Sequence, residues 1–144
     1  VIILPIVDKS HMVFIKAIRP VFDEAVMELP AGAVDSNETT EMTALRELRE
    51  ETGISIKDIN RLKQLPSLNT TPNRTNQMLT VYEVNITMDE YNRRFQHDSE
   101  VSGILLLSFE EVLKKINLGE FFIAPFIAIC LTSLINSKNL QFNE

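Results

Sequence analysis

Apolar and polar residues near the start of the chain follow the short-run pattern of β-strands. The runs Val1–Val7 and Met12–Ile18 are apolar and rich in β-branched residues. Because the polar residues Asp8-Lys9-Ser10 lie between them, they predict a hairpin. Val26–Leu29 predicts a further short strand, which Pro30-Ala31-Gly32 ends. The beginning of the chain is therefore expected to form part of a sheet.

The spacing of apolar residues then changes to that of a helix. We predict this helix from about Thr39 to Thr52, with Asn37 or a neighbouring residue as its N-cap and Gly53 at its end. Arg61–Leu65 predicts another strand. The polar segment Pro66–Asn76 contains prolines and predicts a loop.

Strands and helices are both predicted in the second half of the chain. Met78–Ile86 and Ile104–Leu107 predict strands, and the charged segment Asp89–Ser99 between them predicts irregular structure. Ser108 is expected to cap a helix that ends near Ile116, since Glu110 and Glu111 would lie favourably in its first turn.

The uncharged run Phe121–Ile135 predicts a buried C-terminal helix that Pro125 begins. It is shorter than the roughly 20 residues that a membrane-spanning helix needs. Strands first and helices last predict an α/β fold in which helices pack on the faces of a mixed sheet.

Composition limits the possible functions. The length of 144 residues predicts one domain, and the net charge of -6 argues against a nucleic-acid partner. An acidic protein that binds phosphates needs divalent cations or local arginines. The single cysteine, Cys130, excludes an internal disulfide and favours a cytoplasmic setting. Because the sequence begins at Val1, without a methionine, we expect that native residues precede it.

Three glutamates are grouped in the predicted helix. Glu50 and Glu51 follow Glu47 at i+3 and i+4, so all three lie on one helix face. Their mutual repulsion needs compensation, which Arg46, Arg49 and a bound divalent cation such as Mg²⁺ would supply. A solvated acidic helix surface is the alternative, and the three glutamates alone do not exclude it.

The whole segment from Gly32 to Ile54 resembles the Nudix box, G-x₅-E-x₇-R-E-U-x-E-E-x-G-U, where U is aliphatic. Every fixed position matches: Gly32, Glu38, Arg46, Glu47, Leu48, Glu50, Glu51, Gly53 and Ile54. This resemblance implies a Nudix-type α/β/α sandwich with a mixed β-sheet and the Nudix loop–helix–loop. It also implies Mg²⁺, with Mn²⁺ possible, bound against a pyrophosphate.

The resemblance assigns roles to particular residues. Glu47 and Glu51 correspond to the principal metal ligands, with Glu50 contributing as a ligand or in catalysis. The Ala31 carbonyl resembles a backbone metal ligand. Arg46 resembles an orienting residue that pairs with acids of the box. Glu38 corresponds to a structural position, and Gly32 lets the backbone turn where a side chain would obstruct.

Residues outside the box resemble the ADP-ribose pyrophosphatase branch. Arg19 followed by Glu28-Leu29-Pro30-Ala31-Gly32 and Asp35 is similar to that branch's pattern. The resemblance implies that Arg19 contacts the substrate's phosphates and that Glu28 and Gly32 lie in the substrate site. A guanidinium suits phosphate because it donates two hydrogen bonds at once. A surface arginine at a strand end is the alternative for Arg19.

A later acidic loop completes the resemblance. Glu100 resembles an additional metal ligand, Asp98 occupies the position of the catalytic base, and His97 is expected to be a solvated loop residue. The chain departs from the branch after the box, where Thr71-Pro72-Asn73 and Gln77 replace the usual glycine and glutamate. This departure leaves the sugar specificity open.

These features predict a metal-dependent hydrolase that cleaves the pyrophosphate of a nucleoside diphosphate linked to another group. For ADP-ribose, the products would be AMP and ribose 5-phosphate. The alternatives are a Nudix-fold module that binds a nucleotide without cleaving it, or an enzyme for GDP-sugars, dinucleoside polyphosphates or oxidised nucleotides. A homodimer is implied by the family alone.

Overall fold

The computed structural model describes residues 1–137. It contains six strands, four α-helices and one short 3₁₀ turn. In chain order these are β1 (Ile2–Val7), β2 (His11–Arg19), β3 (Glu24–Glu28), α1 (Thr40–Thr52), the 3₁₀ turn (Ile59–Arg61), β4 (Leu62–Leu68), β5 (Leu79–Ile86), α2 (Met88–Asn92), β6 (Val101–Ser108), α3 (Phe109–Asn117) and α4 (Ala124–Asn136). The predicted single domain extends to Glu144, so its last seven residues, 138–144, lie outside the described part.

The strands form one mixed sheet in the order β3-β2-β1-β5-β4. β1 and β3 pair with different parts of one edge of β2, and β6 pairs with its opposite edge. β1 and β5 run parallel, and the remaining pairs are antiparallel. The predicted β1–β2 hairpin is confirmed. Its turn places Asp8 and Lys9 in the left-handed backbone region, with φ of 46° and 55°.

Helices cover both faces of this sheet. On one face Ala44 and Leu48 of α1 pack against Ile3 and Val7 of β1. On the other face residues of α3 and α4 pack against the alternate side chains of β1 and β2. The predicted α/β/α sandwich with a mixed sheet is therefore confirmed.

Helix α1 has the predicted position. Its N-cap is Thr39, which accepts a hydrogen bond from the Met42 amide. Thr39 was predicted as about the first helical residue, so the cap lies two residues after Asn37. Gly53 ends the helix with a φ of 74°, a conformation that glycine adopts without a steric penalty. The Gly53 amide donates to the Arg49 carbonyl, which closes the last turn.

β3 begins two residues before its predicted start and ends at Glu28 instead of Leu29. The largest differences from the predicted strand bounds are at β4 and β6. β4 continues through Pro66 to Leu68 instead of ending at Leu65. Proline fits there because β4 is the edge strand, where a missing N–H costs no ladder hydrogen bond. β6 begins at Val101 instead of Ile104, since β2 is long enough to pair with it across a bulge at Lys16 and Ala17.

The segment predicted as irregular, Asp89–Ser99, begins inside a helix. α2 spans Met88–Asn92, and a capping box between Thr87 and Glu90 stabilises its first turn. Arg61 donates to both Glu90 carboxylate oxygens. This capping pair is a local signal in the sequence, although the segment that contains it is charged.

The C-terminal apolar run forms α4 as predicted, with Pro125 in its first turn. Cys130 lies fully buried in the core, and burial raises the pKa of its thiol. Among residues 1–137, no helix combines the length and apolar character needed to cross a membrane.

Candidate active site

The segment after β3 lies along the first residues of β1. The Ile3 amide donates to the Pro30 carbonyl at 3.0 Å, and the Gly32 amide donates to the Val1 carbonyl at 3.1 Å. Ala31 also forms an isolated bridge with Ile2. These bonds fix the backbone of residues 30–32 beside the second half of α1.

Two glutamates of α1 contact this backbone. Glu51 Oε2 accepts a hydrogen bond from the Ala31 amide at 2.9 Å. The carboxylate of Glu47 lies against Gly32, where a Cβ atom would stand 1.7 Å from Glu47 Oε1. Gly32 is therefore needed for space, because any side chain there would displace the Glu47 carboxylate.

Arg46 links several acids of the predicted box. Its Nε donates to Glu38 Oε1 at 2.9 Å, and its Nη1 donates to Glu47 at 2.7 Å and Glu50 at 3.1 Å. Its Nη2 also donates to the Ala33 carbonyl at 3.1 Å. The hydrogen bonds with Glu38, more than any other contact, raise the pKa of Arg46 and lower the pKa of Glu38. Pairing of Arg46 with acids of the box was predicted, and the structure places it so.

Arg19 forms a two-pronged pair with Glu28 across the β2–β3 hairpin. Both N–H···O distances are 2.7 Å. Glu28 is buried, whereas half of the Arg19 side chain is exposed. The hydrogen bond to Glu28, followed by the charges of Glu28, Glu51 and Glu100, raises the pKa of Arg19. Arg19 thus lies among acids from three separate parts of the chain.

The pKa of Glu51 is strongly raised. Burial raises its pKa to about 7, and the negative charges of Glu47 and Glu28 add to the shift. The Ala31 amide and the charge of Arg19 act in the opposite direction but do not overcome burial. The carboxyl group of Glu51 has a pKa near neutral and lies beside two other buried acids. A cation would be stabilised at such a site.

The loop before β6 is attached to the end of α1. The Asp98 amide donates to the Glu50 carbonyl at 2.8 Å, and the Phe95 amide donates to the Gly53 carbonyl at 2.9 Å. The side chains of Asp98 and Glu100 are exposed, and His97 Nδ1 lies 2.9 Å from the Asp98 carbonyl oxygen. The backbone of the predicted acidic loop therefore stands beside the box.

Gly53 has a second role that the sequence analysis missed. A Cβ atom on Gly53 would lie 2.0 Å from the Phe95 carbonyl oxygen, so only glycine lets the loop approach α1. Its position at the end of a helix already explained the glycine. Nothing local indicated that residue 95 lies against it.

Asn69 is another residue that the sequence analysis missed. Its Nδ2 donates to the carbonyls of Thr75 and Gln77, and its Oδ1 accepts from the Thr71 amide. These bonds close the loop that carries Thr71-Pro72-Asn73. The sequence signal that could have predicted this turn is the tendency of an asparagine side chain to bond the backbone two residues later.

The acids of the site suit a divalent cation by their chemistry. As the side chains stand, no three His, Cys, Asp or Glu residues within 1–137 converge closely enough to hold a metal. Arg46 holds Glu47 and Glu50, Arg19 holds Glu28, and the Ala31 amide holds one Glu51 oxygen. Mg²⁺ and Mn²⁺ prefer carboxylate and carbonyl oxygens of this kind. By its chemistry, this set of oxygen donors fits a divalent cation.

The site lies in a loop–helix–loop on a sheet that has helices on both faces. This loop–helix–loop places Glu47 and Glu51 against the backbone of residues 31 and 32. The family model described as NUDIX domain matches residues 1–128. The chain therefore belongs to the Nudix family, as its sequence predicted. Members of this family act on small nucleoside diphosphate compounds and generally need a divalent metal ion.

Individual relatives resemble the chain over most of its length. It is 28% identical over 123 residues to the ADP-ribose pyrophosphatase of Bacillus subtilis (strain 168), which covers 85% of this chain and 64% of that protein. It is 26% identical over 116 residues to the methanol dehydrogenase activator of Bacillus methanolicus, covering 81% of this chain and 61% of that protein. The chain thus spans less than two thirds of the length of these relatives.

A solved structure shares the fold. The crystal structure described as that of an ADP compounds hydrolase superposes with a TM-score of 0.74 at 18% sequence identity. The match covers 96% of this chain and 71% of that one. At this identity the similarity confirms the fold, including the mixed sheet with helices on both faces.

Proposed function

We propose that this protein hydrolyses the pyrophosphate bond of a nucleoside diphosphate joined to a sugar, with ADP-ribose as the substrate. The observation that carries the proposal is the position of Glu47 and Glu51 against the Ala31–Gly32 backbone. A substrate diphosphate at this segment would lie beside two buried carboxylates. The products would be AMP and ribose 5-phosphate.

The proposed metal ligands are Glu47 and Glu51, with Glu50, Glu100 and the Ala31 carbonyl as further oxygen donors. A bound Mg²⁺ or Mn²⁺ would neutralise phosphate oxygens and lower the pKa of a coordinated water. Glu51 has to lose its proton before it serves as a ligand, and its pKa of about 7 makes that loss easy near neutral pH.

Arg46 has the proposed role of orienting the acids. Its guanidinium reaches three glutamates and one carbonyl at once, which fixes where their remaining oxygens point. A planar group with five donors does this, whereas a lysine ammonium does not. The orientation of Glu47 and Glu50 thus depends on Arg46.

Arg19 has the proposed role of binding the diphosphate. Its fork is already formed and held by Glu28, and half of the side chain faces solvent. A phosphate group offers the same pair of acceptor oxygens as the Glu28 carboxylate. Phosphate binding at the exposed side of Arg19 would keep one of its bonds to Glu28 and add bonds to the substrate.

The proton of the attacking water needs an acceptor close to the diphosphate. The candidates are Asp98 and Glu50. The Asp98 amide donates to the Glu50 carbonyl at 2.8 Å, so the two residues lie together at the end of α1. An acceptor has to come within about 3 Å of the water in the bound complex. Asp98 is exposed on a loop and is the one whose side chain is not already held by Arg46.

The relatives support the substrate class. One curated relative is named an ADP-ribose pyrophosphatase, and the superposed structure is described as an ADP compounds hydrolase. We further propose that residues 1–144 form one domain, act as a homodimer, and bind neither nucleic acid nor membrane. The net charge of -6 supports the last point, and the single buried thiol suits a cytoplasmic location.

A substrate panel tests the proposed activity. Purified protein is incubated with Mg²⁺ and ADP-ribose, ADP-glucose, GDP-mannose, diadenosine polyphosphates or 8-oxo-dGTP, and chromatography measures mononucleotide release. We expect the highest kcat/KM for ADP-ribose, with equal amounts of AMP and ribose 5-phosphate. Faster cleavage of any other compound in the panel would contradict the substrate assignment.

The alternative function is that of a protein that binds ADP-ribose without cleaving its pyrophosphate bond. Calorimetry in Mg²⁺ would then show tight ADP-ribose binding, while chromatography would show no AMP after hours. The crowding of Glu51 with Glu47 and Glu28 disfavours this outcome, because a pure binder gains nothing from the repulsion among these acids.

A further inference from the structure

A second polar cavity lies on the face of the sheet opposite the candidate active site. It has a volume of about 380 Å³ and lies between the sheet and the second half of α4. Its polar lining includes Lys9, Lys63, Glu83, Asn85, Ser133 and Asn136. This volume is near the lower end of the range of ligand pockets, about 300–1,000 Å³, which suits a small metabolite.

The cavity is separate from the Ala31–Gly32 site. Its wall includes Ile6, whose side chain packs in the core beneath α3 and α4, whereas α1 covers the other face. Ala31 pairs with Ile2 at the opposite end of β1. Four residues of a strand span about 13 Å, so a small metabolite would not reach both places.

A buried carboxylate forms the floor of this cavity. Glu83 is 7% exposed, although it lies in a strand flanked by apolar residues. Ser133 donates to Glu83 Oε2 at 2.6 Å. The nearest cation to Oε1 is Lys63 Nζ at 3.8 Å, beyond hydrogen-bond distance, and no residue within 1–137 donates a hydrogen bond to that oxygen. Because no fully buried side-chain oxygen within residues 1–137 lacks a hydrogen-bond partner, Oε1 is accessible from the cavity, where the hydroxyl group of a ligand can donate to it.

Lys9 stands at the cavity rim in an unfavourable backbone conformation. The turn Val7–Ser10 has two successive residues of positive φ, and the second such position of a hairpin turn strongly prefers glycine. Lys9 occupies that position with a φ of 55°. The sequence thus retains a lysine at a place where its backbone is strained, and the side chain lines the cavity.

The lining determines the class of ligand. Two ammonium groups, Lys9 and Lys63, disfavour a cation and attract a phosphate or carboxylate. Glu83 Oε1 accepts hydrogen bonds but cannot donate, so it requires hydroxyl or amine hydrogens from the ligand. Asn85 and Asn136 offer both donors and acceptors. An anion that also carries hydroxyl groups satisfies all of these side chains.

We infer that this cavity is a second ligand site, which binds a small phosphorylated sugar with its phosphate at Lys9 and Lys63 and its hydroxyls at Glu83. Such a ligand supplies the donors that Oε1 lacks and the anion that the two lysines attract. This inference does not rest on the proposed hydrolysis, because none of these residues belongs to the candidate active site.

Calorimetry with ribose 5-phosphate tests the inference. The titration is made in EDTA, so that metal-dependent binding elsewhere does not contribute. We expect saturable binding to the wild-type protein and to Glu51→Gln alike. Ribose alone and inorganic phosphate alone should bind roughly tenfold or more weakly, since each lacks half of the contacts.

Variants of the cavity separate binding from folding. Lys9→Gly removes the side chain but relieves the turn, so we expect roughly tenfold weaker binding together with an equal or higher Tm. Glu83→Gln should also weaken binding, and Lys57→Met, an exposed lysine elsewhere, should not. In NMR spectra, the side-chain amides of Asn85 and Asn136 should shift on addition of ribose 5-phosphate.

Several results would overturn the inference. Absence of heat with millimolar ribose 5-phosphate would do so, as would unchanged affinity in Lys9→Gly. Inorganic phosphate that binds as tightly as ribose 5-phosphate would remove the role given to Glu83. Loss of binding in Glu51→Gln would place the ligand in the active site. Loss of stability in Glu83→Gln without loss of binding would make the Glu83–Ser133 pair purely structural.

Discussion

The Glu47 carboxylate lies directly against Gly32, so that a methyl group on residue 32 would overlap Glu47 Oε1 at 1.7 Å. Gly32 does not have the left-handed φ that requires glycine at Gly53 and Gly119. The requirement at residue 32 is therefore space for a carboxylate. One residue of the loop and one of the helix are coupled through this contact.

Gly32→Ala should consequently damage activity more than stability. The overlapping atoms belong to the end of a flexible side chain, so Glu47 can swing away while the fold remains. We expect turnover of ADP-ribose to fall by roughly 100-fold, as displaced charge-stabilising groups typically cost, with a Tm change of a few degrees at most. Gly103→Ala is the matched control, because its nearest neighbour would be Lys16 Cδ at 4.0 Å. Equal activity of the two variants would contradict the contact.

The raised pKa of Glu51 predicts how stability changes with pH. The folded state holds a proton on Glu51 up to about pH 7, whereas an unfolded glutamate loses it near 4.5. The folded state binds more protons in this window, so stability falls as pH rises from about 4.5 to 7 and is level above it. After allowance for solvent screening, we expect a loss of roughly 1–2 kcal/mol.

Thermal unfolding in EDTA between pH 4.5 and 8 measures this slope. Glu51→Gln should lack the contribution, so the difference in Tm between wild type and variant should change across the window. Added Mg²⁺ should stabilise the wild type more at pH 8 than at pH 6, because the ion competes with the proton. Parallel pH profiles for the two proteins would rule out the raised pKa.

Arg46→Lys tests the link between the acids of the box. Lysine keeps the charge but cannot reach Glu38, Glu47 and Glu50 together. We expect the free energy of unfolding to decrease by roughly 1 kcal/mol, because Glu47, the one buried acid of the three, loses its partner. Urea denaturation measures this loss, and turnover should fall as well. Arg49→Lys, at an exposed position of the same helix, should change neither quantity.

Arg19→Lys tests the proposed diphosphate contact. We expect KM for ADP-ribose to rise by roughly tenfold, with a smaller effect on kcat, because one bidentate set of hydrogen bonds to phosphate is lost. Stability should decrease as well, because the buried Glu28 loses one of its two hydrogen bonds from Arg19. Arg74→Lys, in the exposed loop after β4, serves as the control. An unchanged KM in Arg19→Lys would refute the contact.

Local spacing in the sequence was sufficient to predict α1 and its grouped acids. Glu47, Glu50 and Glu51 lie within five residues, so helix geometry alone places them together. The caps Ser108 and Gly53 were predicted for the same reason, because a cap depends on its immediate neighbours. These features depend on the helices themselves and not on how the helices pack in the fold.

Contacts between distant segments could not be predicted in this way. The pair Arg19–Glu28 depends on the register of a hairpin, and the approach of Phe95 to Gly53 depends on where a loop crosses a helix. The edge position of β4, which admits Pro66, follows from the order of all strands in the sheet. Such facts are set by tertiary packing, which no local pattern records.

The central claim is that Glu47 and Glu51 hold a divalent cation against a substrate diphosphate. Its most direct test compares Mg²⁺-dependent release of AMP from ADP-ribose by wild type, Glu51→Gln and Glu110→Gln, an exposed glutamate of α3. Glu51→Gln should lose several kcal/mol of charge stabilisation, so we expect its turnover to decrease by roughly 100-fold or more. Its fold should be intact by circular dichroism, and the turnover of Glu110→Gln should not change. Near wild-type turnover by a folded Glu51→Gln protein would contradict the claim.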